Sequence, residues 1–197
     1  MKNKTIQLVI AILFSAIYSS AQVYGTFTDK RDGKTYKTVT IGKKTWLAEN
    51  LAFKTKEGCW AYDNDNSNVQ KYGYLYNLES AKAAIPSGWH LPTFGEWDTL
   101  FINLGGDSLA LFKIKDTSLW KTKKNNTNES GFSARLAGMY FFNGEEFRDL
   151  DDKCYWWSSK IYSSTSALCW YIEKYGDLIK NKIYDVSAGM SVRCVKD

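Results

Sequence analysis

Apolar positions change their period part-way along the chain, dividing it into an early helical half and a late half of strands. Residues 34–41 (Lys-Thr-Tyr-Lys-Thr-Val-Thr-Ile) alternate polar and β-prone side chains, the period-2 mark of a half-buried strand. Residues 42–44 are turn-like, and 45–48 (Thr-Trp-Leu-Ala) read as the returning strand of a hairpin. Residues 22–30 are a short lead-in, ending near the turn at Asp32-Gly33. Helical spacing follows. Asn77 stands where an N-cap would open a helix over 78–84, and Pro86 stops it. Thr93 and Glu96 have the Thr-x-x-Glu spacing of a capping box, which satisfies backbone N–H groups left unpaired by the first turn. Behind them Trp97, Leu100, Phe101 and Leu104 recur on one face, so a helix over 96–104 turns an apolar stripe to a core. Residues 108–115 predict a further short helix, and 121–130 a polar surface loop. From Gly131 the pattern becomes antiparallel β, with strands over 132–137, 139–142, 155–159, 167–175 and 190–195. Turns such as Asn143-Gly144 separate them. Two early helices and a late antiparallel sheet make the fold class α+β.

The first residues do not belong to this pattern. Lys2 and Lys4 form a charged start, residues 6–18 an apolar run, and Ser19-Ser20-Ala21 supply the small residues a signal peptidase reads. The expectation is a signal peptide over 1–21 and one domain over 22–197. A membrane span takes about 20 apolar residues, and this run is shorter, so no stable span is expected after cleavage. Without a Cys at the cleavage point a lipid anchor is not expected either. The chain reads as secreted, periplasmic or held at the cell surface. Loss of Lys2 and Lys4 lowers the formal charge from +5 to +3. The remaining basic residues are scattered among acidic ones, unlike the clustered stripe of a nucleic-acid binder.

Export gives the cysteines a meaning. Cys59, Cys154, Cys169 and Cys194 are even in number and widely spaced, which suggests two disulfides in any of three connectivities rather than a zinc site. Residues 63–68 (Asp-Asn-Asp-Asn-Ser-Asn) offer oxygen ligands, with Asp63 and Asp65 the candidates for calcium. An EF-hand loop counted from Asp63 would need Gly and Glu where Asn68 and Tyr74 stand, so an Asx turn is preferred and no metal or other cofactor is implied. His90, between Trp89 and Leu91, reads as a packed structural histidine rather than the base of a hydrolase. The acids at 145–146 and 149–152 read as a solvated face rather than a glycosidase pair.

Several motifs occur in a recognisable order. They are Asp32-Gly-Lys-x-Tyr36, Ile41-Gly-x-x-Thr-Trp-Leu-Ala-Glu-Asn-Leu51, Tyr72-Gly-x-Leu-Tyr76 and Pro86-Ser-Gly-Trp-His-Leu-Pro92 with Glu96-Trp97. Gly131-Phe-Ser133, Trp156-Trp-Ser-Ser159 and Ser191-Val-Arg-Cys-Val195 complete the set. The chain resembles the Fibrobacter succinogenes major paralogous domain, a family of secreted bacterial proteins, from about residue 23 to its end. The resemblance implies a C-type-lectin-like fold, distantly related to the formylglycine-generating (sulfatase-modifying) enzymes, and no established activity. Members commonly carry Cys where Ile85 stands and another near Val69; an apolar contact between Val69 and Ile85 is expected instead. Cys194 matches the family. Its expected partner is Cys169, because both lie in late strands, which leaves Cys154 to reach Cys59.

Function follows from what is missing. Calcium-dependent sugar binding would need Glu-Pro-Asn, Gln-Pro-Asp or Trp-Asn-Asp motifs, and the sequence has none. The formylglycine chemistry needs a closely spaced reactive cysteine pair, unlike Cys169 and Cys194. The expected role is a non-catalytic binding or interaction module for an unknown extracellular glycan or protein; the alternative is an orphan relative of those enzymes. Aromatic residues make up 16 % of the chain and crowd the late strands. Neighbours such as Trp156 and Trp157 point to opposite faces of a strand. Tyr155, Trp156, Trp157, Trp170 and Tyr171, beside the acidic 145–152 loop, are therefore the candidate ligand residues.

Overall fold

The computed structural model describes residues 22–118, 120 and 126–197. The leader assigned to 1–21 and residues 121–125 of the expected polar loop lie outside them. In chain order the elements begin with β1 (Val23–Thr28), β2 (Thr35–Ile41), β3 (Lys44–Leu47) and β4 (Cys59–Trp60). They continue through α1 (Ser67–Tyr72), β5 (Leu75–Tyr76), α2 (Leu78–Ala84), β6 (Trp89–His90), α3 (Phe94–Asn103) and α4 (Asp107–Ile114). The late half holds β7 (Ala137–Phe141), β8 (Glu146–Leu150), β9 (Lys153–Ser163), β10 (Ser166–Glu173), β11 (Lys180–Asp185) and β12 (Val195–Lys196). One five-stranded sheet runs β1-β2-β3-β12-β6, a second β11-β10-β9-β7-β8, and β4 pairs with β5. The body is α+β and mostly sheet.

The caps form as the sequence requires. Asn77 Oδ1 accepts from the Ser80 N–H at 2.8 Å and opens α2. Thr93 Oγ1 accepts from the Glu96 N–H at 3.2 Å, and Glu96 Oε2 accepts from the Thr93 N–H at 2.9 Å, closing the capping box. Thr93→Ala should therefore destabilise the domain by about 0.5–2 kcal/mol in urea melts, and an unchanged midpoint would refute the role of this cap. The far end of α2 is held by Arg31, whose guanidinium donates to the Ala84 carbonyl at 2.6 Å while pairing with Asp29. Val69 and Ile85 are both half-buried against the core beside α2.

Both faces of the second sheet are covered. Cys154, Trp156, Leu168, Trp170 and Ile172 face a core shared with α3 and α4. The alternate positions Tyr155, Trp157, Ala167 and Cys169 face a second core with α2, Tyr36, Leu47 and Tyr76. Strand alternation splits Trp156 from Trp157 as expected, but a layer lies on each side.

Two of the expected strands do not form as read. Residues 132–136 form no strand beyond a bridge between Lys115 and Ala134. Gly131 and Ser133 take positive φ, and the carbonyls of Phe132 and Ser133 accept from Arg193 at 2.7 and 2.9 Å instead of joining a ladder. Residues 190–195 are extended, but their backbone bonds go to Tyr76, Tyr155, Trp157, Leu51 and Leu47 in turn, so a strand is counted only from Val195. This segment ties the two large sheets together.

Candidate functional site

Burial removes three candidates. Trp156 and Trp157 are fully buried and Trp170 nearly so. Trp157 Nε1 donates to the Tyr76 carbonyl at 2.7 Å, and Trp170 packs between Phe94 and Phe101. These indoles are core, not stacking surface. Tyr155 is buried by its ring, and Tyr171 is half-exposed.

The disulfides are absent as well, and all four cysteines are free. Cys154 lies in the core on the α3 side of the second sheet, whereas Cys59, Cys169 and Cys194 belong to the opposite side. That geometry separates Cys154 from Cys59. Cys169 neighbours Tyr155 and Tyr184, while Cys194 neighbours Tyr36 and Tyr76. Burial pushes the Cys154 and Cys169 thiols up to about 12 and raises that of Cys194. Such thiols behave as small hydrophobes.

At 63–68 the chain makes turns. Asp63 adopts a left-handed conformation, and Asp65 accepts from the Ser67 N–H and hydroxyl at 2.9 and 2.8 Å, just ahead of α1. Among the described residues no group of three His, Cys, Asp or Glu is placed to hold a metal.

What remains of the aromatic platform is a half-solvated face on the second sheet. Its register sets Lys180 opposite Tyr171 and Tyr171 opposite Tyr155, with Lys182 opposite Cys169 in the next row and Tyr184 beyond it. The rings of Tyr155 and Tyr171 stack at 5.7 Å, and Tyr184 meets Tyr155 edge-on at 6.0 Å. Beside them the Arg148 guanidinium lies 4.0 Å from the Phe141 ring centre and pairs with Glu146.

Charge is threaded through these rings. Tyr155 donates its hydroxyl to Asp149 Oδ2 at 2.7 Å; burial, then this bond, raises its pKa well above a free tyrosine's. Lys153 bridges Asp149 and Glu173 at 3.8 and 3.9 Å, and Lys180 pairs with Glu173 at 2.7 Å. Glu145, Asp149 and Asp151 all take positive φ, a conformation that Asp enters more readily than most residues. Bonds from Tyr155 to Asp149, and from Tyr72 to Asp151 at 2.9 Å, fix two of them. The acidic stretch is thus strand β8 with its turns, docked against the tyrosines rather than hanging free.

A second polar cluster surrounds His90. Its Nδ1 lies 2.6 Å from Asp197 Oδ1 and its Nε2 2.9 Å from Glu96 Oε1, while Lys44 reaches Glu96 at 3.0 Å. Neutral imidazole carries one N–H and can serve one carboxylate at a time; the cation serves both. Burial opposes the charge, but the bonds to Asp197 and Glu96 outweigh it and raise the His90 pKa above 6.5. Burial likewise opposes ionisation of Glu96, yet the Thr93 N–H, His90 and Lys44 bring its pKa down to about 2. The signs follow from linkage. The His90 contribution is full below about pH 6.5 and is lost as pH rises through the raised folded value. The Glu96 contribution is full above about pH 4.5 and is lost as pH falls toward 2. The cluster therefore favours the fold most between those limits. Proton NMR of this single histidine should give a pKa above that of a free histidine, falling in Asp197→Asn; a value at or below 6.5 would contradict the geometry.

Residues 39–196 match the Fibrobacter succinogenes major domain. The chain belongs to this family. Neither a curated protein nor a solved structure matches it. In this Fibrobacter succinogenes major domain the matched stretch contains the whole tyrosine face and His90 with Glu96, and stops one residue short of Asp197. Strand β1 precedes the matched stretch but pairs with β2 along its full length, so it belongs to the same sheet. Among the described residues no helix is long and apolar enough to cross a membrane.

Sequence reasoning singled out Tyr155 and Tyr171 and passed over Lys180, Lys182 and Tyr184, which the register sets beside them. The signal was there in Lys180-x-Lys182-x-Tyr184, a period-2 row with a polar identity. A search for alternating apolar residues passes over it.

Proposed function

We propose that this domain is a non-catalytic binding module that engages an extracellular glycan or protein through the tyrosine face of its second sheet. The observation that carries the reading is the half-exposed pair Tyr171 and Tyr184, set around the Tyr155–Asp149 bond with charged groups at their edges. Rings fixed by packing and bordered by polar groups provide contact area without ordering a loop, which is the economy that makes aromatics frequent anchors. The raised pKa values of Cys154 and Cys169 support this reading over an orphan enzyme of the formylglycine-generating type, which would need an accessible thiolate.

The compartment in this proposal is outside the cytoplasm, secreted, periplasmic or at the cell surface. Its support is the charged, apolar, small-residue order of 1–21, and an exported chain beginning at Gln22 by intact mass is the check. The fold is read as C-type-lectin-like, supported by the Leu91-Pro-Thr-x-x-Glu-Trp97 helix start and the closing Ser191-Val-Arg-Cys194 segment. An experimental structure with unrelated connectivity would reject that part.

Binding is tested by screening arrays of glycans and surface proteins with the wild-type domain, Tyr171→Ala and Tyr184→Ala. Truncating a central aromatic anchor should weaken capture by about tenfold or more, whereas Ile102→Ala on the outer surface of α3 should not. Capture that survives both tyrosine substitutions would place the site elsewhere.

A further inference from the structure

The edges of the two large sheets are not protected alike. In the second sheet the edge strands carry charge, with Glu146, Arg148 and Asp149 on β8 and Lys180, Lys182 and Asp185 on β11. In the first sheet the edge strand β6 is only two residues long. Charge and shortness both discourage pairing with another chain. Strand β1, the other edge of the first sheet, has neither defence. Its six residues, Val-Tyr-Gly-Thr-Phe-Thr, hold no charge and no proline, and all but Phe27 are exposed. Register tells which of its backbone groups are open. Asp29 donates its N–H to the Lys34 carbonyl at 2.8 Å, and bonded pairs alternate along an antiparallel ladder, so Phe27, Gly25 and Val23 bond inward to β2. The Thr28 and Thr35 hydroxyls touch at 2.8 Å, as the closer, non-bonded pairs of such a ladder do. The N–H and C=O groups of Tyr24, Thr26 and Thr28 therefore point away from the sheet.

We infer that two copies of this chain pair through β1, antiparallel about a two-fold axis at Thr26, joining their five-stranded sheets into one continuous sheet. An axis at Thr26 pairs all three open residues, Tyr24 with Thr28, Thr26 with itself and Thr28 with Tyr24, for about six backbone bonds. Side chains select the second copy as the occupant. On the face shared by Val23, Gly25 and Phe27, this axis sets each Phe27 opposite the other copy's Gly25. Apart from Thr38 Oγ1, nothing lies within 4 Å of where a Gly25 side chain would begin. An aromatic ring across from an edge glycine is a favourable pairing in sheets. Val23, 65 % exposed, then stands opposite the other copy's Asp29, at the mouth of a cleft of about 360 Å³ walled by Phe27 and Pro86. Knob and socket belong to one chain, and the two-fold uses each of them twice. On the opposite face Tyr24 meets Thr28 and Thr26 meets Thr26, aromatic–β-branched and Thr–Thr pairs that hold adjacent strands together. No like charges face each other along β1. An axis at Gly25 would instead set glycine against glycine and leave the centre of the seam empty. A foreign strand could use the backbone, but nothing would require it to carry glycine against Phe27 and an apolar residue against the cleft.

Sedimentation velocity of the mature domain, from low micromolar to near-millimolar concentration, is the test. The seam is smaller than a standard interface, so a reversible monomer–dimer equilibrium in the micromolar range is expected. Thr26→Lys sets two ammonium groups across the axis and should raise the dissociation constant about fivefold or more. Thr26→Pro removes the open N–H at the axis, a change that an edge strand tolerates, and should also favour the monomer. Thr26 is exposed, so near-ultraviolet circular dichroism of both variants should match that of the wild type. In oxidised glutathione Thr26→Cys should form a disulfide-linked dimer and Tyr24→Cys should not, because only position 26 meets itself, with Cα atoms about 5.5 Å apart. A monomer at every concentration overturns the inference, as does a dimer that Thr26→Lys leaves unchanged. Cross-linking of Tyr24→Cys as readily as Thr26→Cys overturns the axis at Thr26, and with it the match of Phe27 to Gly25.

Discussion

Replacing Arg193 by alanine should cost about 3–5 kcal/mol, about a fifth or more of an ordinary domain's stability. Arg193 is fully buried. Its Nε donates to Asn50 Oδ1 at 2.8 Å, Nη1 to the Leu47 and Phe132 carbonyls at 2.9 and 2.7 Å, and Nη2 to the Ser133 carbonyl at 2.9 Å. The guanidinium also lies 4.4 Å from the Phe132 ring centre. Burial draws its pKa down to about 9, with Glu49 and Asp116 supporting the charge from longer range, so the side chain is still protonated at neutral pH. Neutral acceptors, rather than a carboxylate, satisfy it. Truncation would take a donor from three backbone carbonyls out of reach of water and open a cavity among them, while Asn50 Oδ1 would keep only its bond from Trp156. Urea melts should show the midpoint shift directly, and thermal melts a fall of about 6–20 °C for a chain of this size. Arg193→Lys should recover little, because a point ammonium cannot reproduce the planar fork. A loss below about 1 kcal/mol in the alanine variant would mean that these carbonyls find water, and the keystone role would fall.

Arg193 also explains where sequence pattern and structure part. The segment at 132–137 has strand-like composition, yet its carbonyls are taken by a side chain some sixty residues later, and no local window contains that information. Helices α2 and α3 were legible because their determinants are local: Asn77, Pro86, Thr93 and Glu96 lie within a turn of the ends they set. The late strands were legible where they are buried, at β9 and β10. Strands β8 and β11 carry mostly charged and polar residues at the sheet's two edges, where lysines and acids discourage pairing with other chains, so they show no apolar alternation. For the candidate site the outcome divides in the same way. Tyr155 and Tyr171 came from strands that could be read, and Lys182 and Tyr184 sit on one that could not. The cysteine pairing failed at both bonds. Cys154 projects into the core on the α3 side while Cys59 lies on the opposite side, and Cys169 and Cys194 share one core yet both stay free. The platform lost its three indoles because Trp156, Trp157 and Trp170 lie beneath the layers that cover the sheet.

Trp156 should be the most costly aromatic to remove from those layers. It is fully buried, with Trp97 at 5.7 Å and Phe132 at 5.9 Å between ring centres, so it joins α3 to the second sheet. Its Nε1 donates at 3.1 Å to Asn50 Oδ1, the atom that also accepts from Arg193. Asn50 in turn donates to the Tyr72 carbonyl at 2.8 Å and the Ser191 hydroxyl at 3.1 Å, so one amide gathers both sheets and the end of α1. Trp156→Ala removes the ring and the bond together, and should cost about 3–5 kcal/mol. Trp156→Phe keeps most of the packing and deletes one hydrogen bond of about 1 kcal/mol, since Asn50 Oδ1 retains its bond to Arg193. The two substitutions therefore separate burial from bonding. Because Trp156 and Arg193 share one acceptor, their effects should not add. A double-mutant cycle between Trp156→Phe and Arg193→Ala should return a coupling of about 0.5–3 kcal/mol, whereas Trp156→Phe with Thr93→Ala, which share no partner, should return about 0.5 kcal/mol or less. Additive losses in the first cycle would show that Asn50 does not link the two side chains in solution, and that the sheets are joined by packing and by the backbone bonds of residues 190–195.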